Sequence, residues 1–151
     1  VTEIIVGPDA EQVVLTWLRQ AVAAASPAPS FADGLKLRTK LEPGVTPAGP
    51  FVALRRSGGV MTNLVEDAAR IDFRVWHDSD GERMALALWL RALAFSSRGS
   101  VVTVPRTALP VTIGRWSEFV GPGRFPDPQD GAREIILFTA EVRLRAAAVS
   151  A

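Results

Sequence analysis

His77 is the only imidazole in the chain; Asp78 follows it directly and Asp80 is close by. An imidazole oriented by a carboxylate is the minimal arrangement of a general base. The same stretch also reads as the start of a helix. Ser79 and Glu82 have the spacing of a capping box, and acidic residues belong in a first helical turn because they oppose the backbone dipole. Capping already accounts for Asp78 and Ser79, so His77 receives no catalytic assignment. Asp78, Asp80 and Glu82 together offer oxygen ligands to a hard cation, but the regular ligand spacing of a calcium loop is missing. Cysteine is absent and His occurs once. Disulfides, thiolate nucleophiles, cysteine-based zinc sites and multi-His metal sites are thereby removed.

The remaining motifs are equally poor in chemistry. Ser57-Gly58-Gly59 lacks the Lys and the following helix of a phosphate loop. Gly121-Pro122-Gly123 has no preceding buried strand leading into a helix. Ser96 and Ser97 sit at a helix end without a recognisable base. The reading is non-enzymatic, with neither cofactor nor metal.

Two patterns point to recognition instead. Lys36, Arg38 and Lys40 make up one whole face of an alternating segment, with Arg55 and Arg56 in the next strand region and Arg143 and Arg145 in the last. If those strands are neighbours, one sheet face carries a positive stripe. Such a stripe suits phosphate or an acidic protein partner, or is an ordinary solvated face with Asp72 and Glu141 interspersed. The second pattern is aromatic. Trp116, Phe119 and Phe125 fall in a Gly/Pro-rich segment, Trp76 falls on the polar side of its strand, and Trp89 falls off the main stripe of its helix. Aromatic residues of this kind anchor subunit interfaces or tuck back as loop plugs.

Composition bounds these readings. The chain has 151 residues, 48% of them apolar and 22% charged, enough for one domain with a core of its own. A net charge of +1 gives no bulk attraction to nucleic acid. Fifteen of the 17 basic residues are Arg, which reflects either coding bias or bidentate pairing at interfaces. The N-terminal residues lack a secretory pattern, and the most apolar run, Met84 to Phe95, is broken by Arg91 and too short to span a bilayer. A cytoplasmic site of synthesis and no membrane association are expected.

The elements that must carry these residues follow from periodicity. Asp9 caps a helix to about Ala25, whose stripe is Val14, Leu18, Ala21, Val22 and Ala25, widened by Val13 and Trp17. Leu35 to Leu41 alternates as a half-buried strand. A loop covers Pro43 to Pro50, and Phe51 to Arg56 forms a strand closed by Ser57-Gly58-Gly59. Val60 to Asp67 is loop or strand. Arg70 to Trp76 is the clearest strand, with Ile71, Phe73 and Val75 alternating against Asp72, Arg74 and Trp76. A second helix runs from about Asp80 to Ser96. Leu86, Leu90 and Leu93 share one face while Met84, Leu88 and Trp89 lie elsewhere, so it is sandwiched inside the domain or meets another subunit. Val101 to Val104 and Pro110 to Val120 are further strands, Gly121 to Gly131 is a loop, and Arg133 to Ala146 is the longest strand. The fold class is α+β, a mostly antiparallel sheet with two main helices packed on one face. The strands flanking the second helix are candidates for one right-handed parallel pair.

The layout resembles the tail terminator proteins of long-tailed bacteriophages, in the form found among phages of actinobacteria. The resemblance rests on several features. An amphipathic helix opens with Asp9-Ala10-Glu11. The strand end Pro50-Phe51-Val52-Ala53-Leu54-Arg55-Arg56-Ser57-Gly58-Gly59 follows, and then Ala69-Arg70-Ile71-Asp72-Phe73-Arg74-Val75-Trp76. An Ala/Leu-rich helix starts at Asp80-Gly81-Glu82-Arg83. A Pro126-Asp127-Pro128 loop precedes a long strand with Phe138 through Leu144. Nearly the whole chain, residues 1–151, is covered as one domain, by element order rather than by a catalytic signature. The resemblance implies a virion protein that forms a homo-hexameric ring on the head-proximal end of the tail. Such a ring ends tube polymerisation, contacts the tail tube protein and the head-to-tail connector proteins, and lets DNA pass without sequence-specific binding. It implies no catalytic residues. The alternatives are another connector or tail completion protein, or a nucleic-acid or acidic-ligand binding module using the basic strand face. A ring subunit needs two different contact surfaces, and the second helix and the aromatic segment are the candidates.

Overall fold

The computed structural model describes residues 3–5, 7–63, 65–107, 109–146 and 148–150. In chain order the elements are β1 (Glu3–Ile5), α1 (Ala10–Ala24), a 3₁₀ turn (Ser30–Ala32), β2 (Lys36–Arg38), β3 (Phe51–Met61), β4 (Glu66–Trp76), α2 (Asp80–Ser96), β5 (Val101–Thr103), β6 (Pro110–Pro126), β7 (Glu134–Ala146) and β8 (Ala148–Ser150). Six strands form one sheet in the order β2-β3-β4-β7-β6-β5, and β1 pairs with β8 separately. Every pairing is antiparallel except β2 with β3. The fold is α+β, as the element pattern requires, with both helices on one face of the sheet.

Local signals explain the helices. The Gln12 N–H donates to Asp9 Oδ1 at 3.3 Å, and the next turns bury Val13, Val14, Leu15 and Leu18 against the sheet. Ala21, Val22 and Ala25, at the far end of the stripe, are only half-buried. In α2 the Glu82 N–H donates to Ser79 Oγ at 3.5 Å, but the Ser79 N–H goes to His77 Nδ1 rather than to Glu82, so the capping box is half made. Leu86, Ala87, Leu90 and Ala94 are buried, while Met84, Trp89, Leu93 and Phe95 pack partly against the same core. Most of the apolar surface of α2 is therefore covered inside the domain, and Leu88 is the large apolar residue left outside.

Strand alternation divides the sheet into two unlike faces. Val52, Leu54, Ile71, Phe73, Val75, Ile136, Phe138, Val142 and Leu144 point to the helices. Phe73 and Phe138 are register partners and stack at 4.4 Å with 7° between their planes. The opposite face carries a smaller cluster of Ala53, Trp76 and Ile135, covered by Leu41 and Phe51.

Several boundaries differ from the sequence reading. β2 keeps only Lys36–Arg38 of the Leu35–Leu41 alternation, because the chain then leaves the sheet to make the crossover that a parallel neighbour needs. β3 does not close at Ser57-Gly58-Gly59. It continues to Met61 through a bulge between Arg56 and Gly58. Gly59 sits at φ 92°, where a Cβ would lie 1.9 Å from the Ala68 carbonyl oxygen, so only glycine fits. β4 starts at Glu66, which turns most of the undecided Val60–Asp67 stretch into a hairpin; Leu64 lies outside the described residues. Gly121 to Pro126 is strand rather than loop, since β7 gives it a partner and three register shifts along β6 absorb the irregular residues. The strands flanking α2 are not a parallel pair, because β7 and β6 lie between β4 and β5.

Candidate functional site

His77 is buried at the junction of β4 and α2 and is fully used there. A backbone N–H can only donate, so the 3.3 Å contact from Ser79 N makes Nδ1 an acceptor. Nε2 then carries the proton and donates to the Phe31 carbonyl oxygen at 3.1 Å, with Glu82 Oε2 at 3.4 Å. The neighbouring carboxylates are occupied too. Asp80 faces the guanidinium groups of Arg83 and Arg124 at 3.3 and 3.1 Å, and Asp78 accepts from the Gly49 N–H at 3.2 Å and lies 3.4 Å from Arg133. The hydrogen bonds from Arg124 hold the Asp80 carboxyl below its ordinary pKa. Among the described residues no group of three or more His, Cys, Asp or Glu is placed to hold a metal ion.

The five aromatic candidates separate. Trp76, expected on a polar strand face, is only 1% exposed. The loop after β6 folds over it, so that its Nε1–H donates to buried Asp127 at 3.0 Å, and Phe51 meets it edge-on at 5.6 Å. Trp116 is also buried, on the helix side, where Nε1–H donates to Ser97 Oγ at 2.7 Å between Phe73 and Phe95. These two are core anchors, so of the two roles open to them the tucked-back one holds and the candidate interface role is corrected. In each case a buried hydrogen-bond acceptor lets the indole enter a core. Trp89 is half-buried, edge-on to Phe31 at 6.0 Å. Phe119 and Phe125 stay outside, 55% and 42% exposed.

Both lie on β6, beyond the point where β5 covers its edge. β5 pairs only with Pro110–Thr112, so from Ser117 onward that edge has no strand beside it among the described residues. Phe119, Val120 and Phe125 are exposed along it. The Arg70 guanidinium lies over the Phe119 ring at 4.1 Å. The opposite edge is protected. Where β2 ends, the Arg56 N–H of β3 donates to Glu11 Oε2 at 3.0 Å, and Arg56 Nε donates to the Gly58 carbonyl at 3.1 Å.

The basic residues also separate. Arg56 is on the helix side of the sheet, paired bidentately with buried Asp67 through both guanidinium nitrogens, and these hydrogen bonds raise its pKa. It leaves the expected stripe because it follows Leu54 by two positions and shares its face. Lys36, Arg38 and Arg55 do share the open face, as do Arg143 and Arg145, but in two groups. Register places Arg38, Ala53 and Arg74 in one row and Arg55 opposite Asp72, whereas Arg143 and Arg145 lie opposite Ala68 and Glu66 toward the other end. Lys40 follows β2 in the departing loop. Lys36, Arg38, Lys40, Arg55, Arg74, Arg143 and Arg145 take part in no ion pair among the described residues.

The first group borders a cleft of about 610 Å³ lined by Glu11, Thr39, Lys40, Leu41, Pro43, Ala53, Arg55, Arg74, Trp76, Pro128 and Gln129. Sequence reasoning left Arg74 out of the basic set and did not anticipate the cleft. The alternation of Arg74 with Phe73 and Val75 was the available signal for its side of the sheet. The loop that closes the cleft follows no periodicity. No family model matches the chain, and no curated protein matches it in sequence. Among the described residues no helix is long and apolar enough to cross a membrane.

Proposed function

We propose that this chain is a structural subunit of a phage tail terminator, assembling into a homo-hexameric ring in the virion that caps the tail tube and joins it to the head connector. The observation that carries the reading beyond element order is the exposed apolar half of β6. A long uncovered edge with Phe119, Val120 and Phe125 is a surface for adding another chain. The blocked edge at β3 restricts such pairing to one side, which suits heterologous contact in a ring. The unpaired cations of the open face suit the passage of DNA held by charge alone, without base contacts.

Deleting the gene and imaging the particles by negative stain tests the proposal. Tails of uncontrolled length detached from filled heads are the expected result. Tails of normal length that fail to join heads would assign a connector or completion role instead, and wholly normal particles would overturn the assembly reading.

The same unpaired cations favour one second reading, a nucleic-acid binding module. It requires DNA affinity that falls steeply with salt, in proportion to the phosphates neutralised. Affinity independent of salt would remove it.

A further inference from the structure

The cleft beside β3 is built for a particular kind of ligand. It lies over the open face of β3 and β4, bordered by the segment that follows β2 and by Pro128 and Gln129. Its floor is apolar, formed by Ala53, Leu41 and the buried Trp76. The Trp76 N–H is spent on Asp127, so the indole offers the cleft only hydrocarbon. Three cations, Lys40, Arg55 and Arg74, line it, and none forms an ion pair among the described residues. The one acidic lining residue, Glu11, is already engaged by the Arg56 N–H. The loop on one side is fixed. Asp127, which precedes the wall residues Pro128 and Gln129, accepts from the Trp76 Nε1–H at 3.0 Å and from the Gln129 N–H at 2.9 Å, so that wall is tied to the sheet.

We propose that this cleft binds a short segment of a partner protein that carries several carboxylates beside apolar side chains. Carboxylates of the segment complement Lys40, Arg55 and Arg74, and its apolar groups cover the hydrocarbon of the floor between those cations. Duplex DNA fits less well, because a narrow concave site with an apolar floor cannot receive a convex phosphate surface. The site is formed within one subunit, so the inference does not depend on ring assembly and stands or falls separately from it.

The test titrates the folded protein into fluorescein-labelled Glu-Leu-Glu-Leu-Glu, blocked at its C-terminus, and follows anisotropy. The neutral Gln-Leu-Gln-Leu-Gln peptide and a labelled oligothymidylate of eight nucleotides are titrated alongside. Saturable binding of the acidic peptide is expected, with the neutral peptide weaker by about tenfold or more. Arg74→Gln and Arg55→Gln should each weaken the acidic peptide by about tenfold, the effect of losing one charge-assisted contact. Lys40→Glu, in an exposed loop where folding is not at stake, should weaken it at least as much. Arg143→Gln, on the same face but away from the cleft, should leave affinity unchanged. Equal binding of the neutral peptide, an equal loss in Arg143→Gln, tighter binding of the oligothymidylate, or no saturation would each overturn the proposal.

Discussion

The two faces of the sheet are built from the same strands yet do different work. On the helix side, residues from all six strands of the large sheet merge with α1 and α2 into one continuous core. On the other side, apolar packing is confined to the cluster around Trp76, and beyond it the face carries cations, Asp72 and the Arg70–Glu141 pair at 3.5 Å. The Asp72 carboxylate accepts from Thr139 Oγ1 at 2.6 Å. Stability therefore belongs to one face, and the surface available for recognition belongs to the other and to the β6 edge. Substitutions should follow that division, with large losses of stability on the helix side and small ones outside.

The sharpest way to break this comparison is Phe73→Ala. It removes half of the stacked Phe73–Phe138 pair at the centre of the core and should cost about 3–5 kcal/mol in denaturant unfolding. A near-neutral result would mean that the helix-side core is not where stability resides. His77→Ala comes next. It leaves the Phe31 carbonyl and the Ser79 N–H without partners, at about 1–3 kcal/mol, while assembly of the folded protein stays normal. A folded variant that fails to assemble would reopen a functional role for the imidazole. Asp9→Ala removes the cap of α1 and should cost about 1 kcal/mol, measured by the same unfolding curves. Phe119→Ser should change stability by no more than about 0.5 kcal/mol, yet weaken the self-association that the proposed ring requires, followed by sedimentation. A large loss of stability there would erase the distinction between the faces.

The smallest effect concerns two exposed ion pairs. The hydrogen bonds from Arg91 lower the pKa of Glu118, and those from Arg124 lower that of Asp80. In the acid range the folded chain consequently binds fewer protons at these sites than the unfolded chain. Their contribution is full above the ordinary carboxylate pKa values and is lost as the pH falls through the lowered folded values. Arg91→Ala should return the Glu118 titration, followed by NMR, to its ordinary position. An unchanged titration would show that the α2–β6 ion pair does not form in solution.

Legibility in the sequence followed the range of the interaction. The helices, the alternation of β4 and β7, and the caps at Asp9 and Ser79 depend on residues within a few positions of one another, and these are the elements that read correctly. The Gly121–Pro126 stretch was read as loop because Gly and Pro speak locally for turns; β7, the next strand of the chain, overrides them by supplying a ladder with bulges. Trp76 and Trp116 stayed open between interface anchors and tucked-back side chains because the deciding contacts are long-range. Their acceptors, Asp127 and Ser97, lie 51 and 19 positions away, and nothing near either indole announces them. The basic residues were legible as residues but not as a site. Arg56 went to the other face, Arg143 and Arg145 to another end, and Arg74 joined only through register.

The sequence by itself determined the fold class, the helix starts, the residues facing the main core and the scarcity of catalytic groups, because periodicity, capping chemistry and composition are properties of neighbouring residues. Tertiary structure alone decided which strands pair, which edge stays open, which aromatics are buried and which cations share a cleft. Those outcomes depend on contacts between segments distant in sequence, where packing and hydrogen-bond satisfaction over the whole domain outweigh local preference.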